Sequence, residues 1–518
     1  MSEQRARARE ALGHGAFDLV VIGGGALGIA TTWAAARSGL RVALVEAGDF
    51  AGATSSASSK LVHGGLRYLA MGPGAVPMVR ENHAERRALG DHLAPHLVRP
   101  LPFLVPVYRG GPHSRSVLGA GVVLYSALSG FGDGVGKVLS ARRAVEYVPH
   151  LRTEGLRGAA LYYDHQMNDS RVAITAARAA AEAGAVLLNH VEVVGMRKRG
   201  GLVTGVELRD RVDGSAFGLD ASVVVNATGP WLDALRRMED AAAEPSIRLS
   251  KGSHLVLKTD TPWRAAMTIP VDDVRVSFAI PWEGQLLLGT TDEAYEGDPA
   301  DVRCSQADID QILGEASVGI NPSALDRSRL AYTFAGLRVL PRGPGDSGSG
   351  DTSHARRETV ITRGRGGMIS VAGGKWTTFR RIGASVLARV GESLGRDLSH
   401  AFDGVPSALP GAALPERVSA QLGRELPSVP HDVLRHLATH YGTVSHEVLA
   451  LALDDPSLLD RVHPDGPDIW AQVAHAQRYE WATEVDDVLR RRTTVVVRGL
   501  DTPSVRERTS RLLAEAVA

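Results

Sequence analysis

Cysteine is nearly absent: Cys304 stands alone in 518 residues. That excludes an intramolecular disulfide and a thiolate-rich metal site, and it fits a reducing compartment. Surplus charge is absent as well, with 58 Lys+Arg against 58 Asp+Glu. A nucleic-acid binder carries a basic excess, so no nucleic acid is expected as a partner. No run reaches the ~20 apolar residues of a spanning helix. A long uncharged run, Ser116–Gly132, is broken by Gly and Ser and reads as a buried helix, with an interfacial helix as the alternative. The stretch Met1–Phe17 has no apolar core of signal-peptide type, so a cytoplasmic location is expected. His92 and His96 have the i, i+4 spacing of a metal pair, but Pro95 between them breaks the helix such a pair needs, and no metal site is expected.

Apolar residues make up 44% of the chain, enough for a large core, and glycine occurs 57 times. Its placement carries information. The apolar strand from Asp18 runs into Gly23-Gly24-Gly25-Ala26-Leu27-Gly28, which opens the Ala-rich helix Ala26 to Ser38. A second strand, "RVALVE", ends on Glu46. In a dinucleotide-binding βαβ unit Gly23 permits the tight turn, Gly25 admits a pyrophosphate to the backbone, and Gly28 lets the helix lie close on the strand. The helix N-terminus offers free N–H groups to phosphates. A carboxylate about 20 residues on, here Glu46, accepts from the ribose hydroxyls. The N-terminal position of the unit and a late strand ending in Ala227-Thr228-Gly229 favour FAD over NAD.

Elsewhere, 185–225 reads as strands turning at Gly200-Gly201, and 252–290 as hairpins turning at Glu283-Gly284. Residues 341–357 read as a flexible surface loop, 366–390 as strand, glycine turn and helix, and the chain from about Leu414 as a separate helical region. Between them lies "SSASSKLVHGGLRYL", residues 55–69. Small residues suit a backbone passing along a pyrophosphate and under a planar ring. The hydroxyls of Thr54, Ser55, Ser56 and Ser59 can serve phosphate and ribityl groups without bulk. His63, Arg67 and Tyr68 would then face a substrate, although taken alone His63 is better read as a core histidine and Arg67 as a surface cation.

The longer string "ATSSASSKLVHGGLRYL" resembles the FAD-dependent glycerol-3-phosphate dehydrogenases, the membrane-associated respiratory family. The resemblance continues, in order, through "VNATGPW" (225–231), "KGSHLVL" (251–257), "IPWEGQLLLGTTD" (280–292), "GLRVL" (336–340), "GGKWTT" (373–378) and "YEWATEVDDVLRRRT" (479–493). Val339, Trp376 and Phe379 stand where the family commonly has Pro, Leu and Tyr.

The resemblance implies an α/β fold: an FAD-binding Rossmann-like domain with an inserted antiparallel β-sheet substrate domain, plus an all-α C-terminal domain. The expected division is 1–400 for the interleaved FAD parts (about 17–75, 165–245, 335–395) and substrate parts (about 76–164, 246–334), then 401–518 for the helices. It implies oxidation of sn-glycerol 3-phosphate to dihydroxyacetone phosphate, with hydride passing to N5 of FAD and electrons to a quinone or other respiratory acceptor. A peripheral site on the inner face of a membrane and a homodimer belong to the same expectation. His63 is the first choice of base and His254 the second. Arg67, Tyr68, Arg338, Arg363 and Lys375 are the phosphate candidates, with Arg338 also close to the chemistry. Gly374, Lys375 and Thr377 would reach the flavin beside Gly229 and Ala227. Asp169 and Arg171 read as structural. The alternatives are an oxidase using oxygen, an amino-acid oxidase of the same superfold, and a non-catalytic FAD-binding interaction protein.

Overall fold

A computed structural model describes residues 3–13, 15–111, 114–271, 276–343, 359–402 and 407–515. The side chain of Arg67 lies outside the described set, as does most of the segment 341–357.

The apolar runs of the βαβ unit form the centre of the first sheet. Phe17–Ile22 pairs in parallel with Val42–Val45 on one side and Ala216–Asn226 on the other. Along the sheet the order is Val360–Arg363, Ile369–Ala372, Ala216–Asn226, Phe17–Ile22, Val42–Val45 and Val186–Leu188. The hairpin Val191–Arg199 and Leu202–Asp210 extends from Ala216–Asn226. Central parallel strands are buried on both faces, which is why they read as unbroken apolar runs. The helices Ala26–Arg37, Asp169–Glu182 and Phe379–Leu394 cover one face, and their small residues, such as Ala30, Ala34, Ala176 and Ala177, allow close approach.

The second sheet runs Glu293–Tyr295, Ile247–Lys258, Gln285–Gly289, Val276–Trp282, Ala266–Pro270, Val98–Tyr108, Leu156–Met167 and Leu61–Val62. Leu330–Pro341 pairs with Ile247–Lys258 along nearly its whole length. The sheet is antiparallel except where Ala266–Pro270 meets Val98–Tyr108 in parallel. Glu283 (φ 51°) and Gly284 (φ 74°) form the left-handed two-residue turn expected of a tight hairpin.

The run Ser116–Gly132 requires a correction. It forms the helix Arg115–Leu128, with Val122, Tyr125 and Ser126 buried, but the helix is not a buried one. Val117 is 64% exposed and Leu124 51%, and Val123 is exposed beside them. Among the described residues no helix is long and apolar enough to cross a membrane.

The C-terminal helices, from Pro415–Glu425 to Pro503–Glu515, surround their own core of Leu422, Leu437, Val448, Val473 and Val488. They are joined to the first sheet by buried charge. Arg171, in the helix Asp169–Glu182, forms a two-pronged pair with Glu480 at 2.7 and 2.9 Å. Asp49, just past the strand Val42–Val45, receives Arg492 at 2.7 and 2.8 Å and also Arg491. Trp481 packs edge-on against Phe50, and His190 meets Asp487 at 2.9 Å. The tail motif 479–493 is thus a docking strip. Burial works against ionisation of Glu480, but Arg171, followed by His475, outweighs it and holds the carboxyl well below its ordinary value of 4.5.

Glu480→Ala leaves Arg171 buried and unpaired, and is expected to cost about 3–5 kcal/mol in urea unfolding at neutral pH. Because the folded-state pKa of Glu480 is depressed, its contribution is complete above pH 4.5 and fades as the pH falls through the folded value. The stability gap between wild type and Glu480→Gln should therefore narrow in acid.

Candidate functional site

The three glycine-bearing turns meet at the carboxyl end of the first sheet, where open α/β sheets bind ligands. Gly23 follows Phe17–Ile22, and the Ala227-Thr228 turn lies against it: a Cβ on Gly23 would sit 2.7 Å from the Ala227 oxygen. Gly374 lies near the side chain of Leu27, 3.6 Å from where its Cβ would be. Gly229 (φ 57°) opens the short helix Gly229–Trp231.

Gly28 and Gly25 differ in a telling way. A Cβ on Gly28 would lie 1.9 Å from the Gly23 oxygen, so the fold itself requires glycine there. Gly25 has an ordinary φ of −81°, and a Cβ there would meet only the Ser55 hydroxyl, at 3.1 Å. The protein's own packing barely constrains that position, and the space in front of the helix N-terminus suits a phosphate. Glu46 takes the Gly24 N–H at 2.6 Å and the Gly48 N–H at 2.8 Å, one on each oxygen, leaving further lone pairs for ribose hydroxyls. Burial raises its carboxyl, and these two amides oppose the rise.

The serine stretch is tied down at nearly every hydroxyl. Ser55 Oγ accepts the Ala26 N–H (2.9 Å), and the Ser55 carbonyl accepts Trp376 Nε1–H (3.0 Å). Leucine at 376 could not make the second bond. Thr54 donates to the Leu337 carbonyl (2.8 Å), Ser56 to the Ala53 carbonyl (3.4 Å), and Ser58 to Asp169 (2.7 Å). Ser59 Oγ lies 2.9 Å from His254 Nε2. Lys60 is buried, with Nζ at 2.8 Å from Asp169.

His63 is partly exposed, and Thr377 Oγ1 accepts its backbone N–H at 3.2 Å. Lys375 Nζ lies 4.4 Å from the Tyr68 ring centroid and 3.5 Å from Met78 Sδ. Arg338 stands opposite Ser250, and its guanidinium is held by Thr290 Oγ1 (3.1 Å), the Thr291 carbonyl (3.1 Å) and Asp292 (3.4 Å). His254 is buried and stacked on Phe334 at 4.8 Å. Burial, then Arg338 and Lys60, push its imidazole well below the usual range, so it is neutral at pH 7. Arg363 is not brought to this group. It is exposed on an edge strand, opposite Ile369, whereas the Gly373-Gly374 turn follows Ala372 at the other end of that pair.

Two clusters fall outside the expected set. Asp164, Arg86 and Tyr125 form a buried network beneath Gly64. Glu283, His436 and His440 converge where the hairpin turn meets the C-terminal helices, but Glu283 is satisfied by His440 at 3.1 Å and Arg498 at 3.6 Å, so the group is an ionic clasp.

A dinucleotide-binding sheet whose three loop turns converge on a second, substrate-side sheet defines a flavoprotein oxidoreductase class. Residues 18–380 match the family described as FAD dependent oxidoreductase, and 406–517 match the C-terminal domain of alpha-glycerophosphate oxidase. The chain is 37% identical to glycerol-3-phosphate dehydrogenase 2 of Mycobacterium tuberculosis, over 96% of this chain and 85% of that protein. It is 34% identical to the glycerol-3-phosphate dehydrogenase of Synechocystis sp., over 93% and 89%. The crystal structure of glycerol-3-phosphate dehydrogenase from Bacillus halodurans complexed with FAD superposes with a TM-score of 0.76 at 26% identity, covering 100% of this chain and 98% of that one. The chain belongs to the FAD-dependent oxidoreductase family and, within it, to the glycerol-3-phosphate dehydrogenases.

The two glycines separate folding from cofactor binding. Gly25→Val should give soluble protein with native far-UV circular dichroism that retains no FAD after gel filtration. Gly28→Val should not fold, because backbone oxygen occupies the space its side chain needs.

Proposed function

We propose that the chain oxidises sn-glycerol 3-phosphate to dihydroxyacetone phosphate and delivers the electrons to a quinone at a membrane surface. The observation that carries this reading is the meeting of three motifs far apart in sequence. Thr377 holds the His63 backbone, Ser59 holds His254, and Lys375 lies over Tyr68. FAD, when bound, supplies the hydride acceptor. Gly23, Gly25, Gly28, Glu46, Ser55, Ala227, Gly229 and Gly374 would line its place.

In this reading His63 accepts the alcohol proton, since an ordinary imidazole titrates near neutrality. His254 is neutral, buried and already shared with Ser59, so it orients substrate instead. Arg338, Lys375 and Tyr68 hold the phosphate, with Arg67 from the same stretch. Arg338 is braced by Thr290 and Thr291, so its fork needs little reorganisation when a dianion arrives. Arg363 is left out because it sits at the far end of its strand. The flavin part is assigned to about 17–75, 165–245 and 335–395, the substrate part to about 76–164 and 246–334, and the helices to 401–518.

For the acceptor, the helix Arg115–Leu128 is the proposed docking element. Val117, Val123 and Leu124 give it an exposed apolar face, Phe131 and Val135 shortly after it in the chain are exposed as well, and so are Arg109, Arg115, Lys137, Arg142 and Arg143 in the sequence around it. An apolar face rimmed by cations suits an anionic lipid surface.

Arg338→Ala should lower kcat/KM for the phosphorylated substrate about tenfold or more, the cost of a charge-assisted contact. Unchanged kinetics would remove Arg338 from the phosphate site. Wild type should reduce a soluble quinone faster than oxygen. Stoichiometric peroxide with no quinone reduction would favour the oxidase alternative. Leu124→Asp should abolish sedimentation with anionic liposomes while soluble-quinone turnover persists, and unchanged sedimentation would move the docking surface elsewhere.

A further inference from the structure

Asp164 has no place in the chemistry described so far, yet it is buried directly beneath the His63 stretch. The short strand Leu61–Val62 pairs antiparallel with Leu156–Met167, Leu61 opposite Gln166 and Val62 opposite His165. Continuing that register places Asp164 across from His63. Its Oδ1 accepts three donors: the Gly64 N–H at 2.9 Å, the Tyr125 hydroxyl at 2.7 Å and Arg86 Nη1 at 2.6 Å.

The backbone on either side of the peptide that Asp164 grips is held as well. Asn82 Nδ2 donates to the Gly64 carbonyl at 3.1 Å, and Thr377 Oγ1 accepts the His63 N–H. Gly64 has no room for a side chain: a Cβ would lie 2.4 Å from both His83 Cε1 and the Tyr125 hydroxyl oxygen. Arg86 is braced in turn by the Tyr163 carbonyl at 2.9 Å and by Asp133. Burial raises the Asp164 carboxyl, and Arg86, followed by the Gly64 amide and Tyr125, works against that rise. Tyr125 belongs to the helix Arg115–Leu128, whose other face is the exposed apolar one.

We propose that Asp164 is a positioning residue for the oxidation: it fixes the His63–Gly64 peptide and, through Tyr125, ties that peptide to the exposed helix Arg115–Leu128. The proposal rests on the reading of His63 as the base. The hydrogen bonds are charge-assisted and buried, so they hold direction as well as place. A base must stand within hydrogen-bond reach of the proton it takes, and small displacements of such a group are costly to rate.

The test is stopped-flow reduction of the FAD holoprotein by glycerol 3-phosphate without oxygen, comparing wild type, Asp164→Ala, Asp164→Asn, Tyr125→Phe and His63→Ala. Asp164→Ala should retain FAD and slow reduction about tenfold or more. Asp164→Asn should recover much of that loss, because its carbonyl still accepts the Gly64 N–H. Tyr125→Phe, which keeps the packing and loses one bond, should slow reduction about threefold. A purely structural role would lower the melting temperature of these variants and leave the folded holoproteins reducing at the wild-type rate, and that result overturns the proposal. If Asp164→Ala does not fold, Tyr125→Phe decides, and a wild-type rate there overturns it as well. Slow His63→Ala with fast Asp164 variants defeats the positioning role alone. Fast His63→Ala defeats the base assignment and this proposal with it.

Discussion

A buried ion pair between Lys60 and Asp169 decides where the serine stretch lies, and the cofactor edge is built around that placement. Lys60 Nζ reaches both Asp169 oxygens, at 2.8 and 2.9 Å, and the Ser56 carbonyl at 2.6 Å. Ser58 adds its N–H and hydroxyl to the same carboxylate. Asp169 begins the helix Asp169–Glu182, where the helix dipole favours negative charge. Removing either partner would leave an uncompensated buried charge, so the pair holds the loop in this position. With the loop fixed, Ser55 reaches the N-terminus of the glycine-turn helix, Ser59 reaches His254, and the chain enters the second sheet at Leu61 with His63 two residues on.

The same device recurs at Arg171, two residues along the helix Asp169–Glu182, and at Asp49, just past the strand Val42–Val45. Asp49 and Arg171 flank the dinucleotide unit, and each binds the tail motif through paired, buried contacts with Arg492 and Glu480. Zero formal net charge is therefore the sum of many local pairings, several of them in the interior. The C-terminal helices are not an appendage: they close over the loop that follows Glu46, three residues from a carboxylate assigned to the ribose.

Much of this was legible in the chain. The βαβ unit could be read because its glycine spacing and terminal acid are local, and the hairpin turn at Glu283-Gly284 because a two-residue left-handed turn has its own residue preference. The protein partners of the hydroxyls were not legible. Ser58 and Ser59 serve Asp169 and His254, partners 111 and 195 residues away, and no spacing rule reaches that far. Asp164 was missed although the strand Leu156–Met167 shows a signal: it is the single acid there, directly after the apolar run that ends at Tyr163. The run Ser116–Gly132 misled because composition reports how apolar a helix is and not which face a neighbour covers. Arg363 misled because its position along an edge strand, away from the glycine turn, appears only in the register.

The central claim is that one site holds FAD and a phosphorylated secondary alcohol together. The most direct measurement is an anaerobic titration of the wild-type holoprotein, followed by flavin absorbance, with glycerol 3-phosphate and separately with glycerol. The account predicts complete bleaching by the phosphate ester and none by glycerol at the same concentration. A flavin that glycerol 3-phosphate leaves oxidised, or that glycerol bleaches equally well, would contradict it.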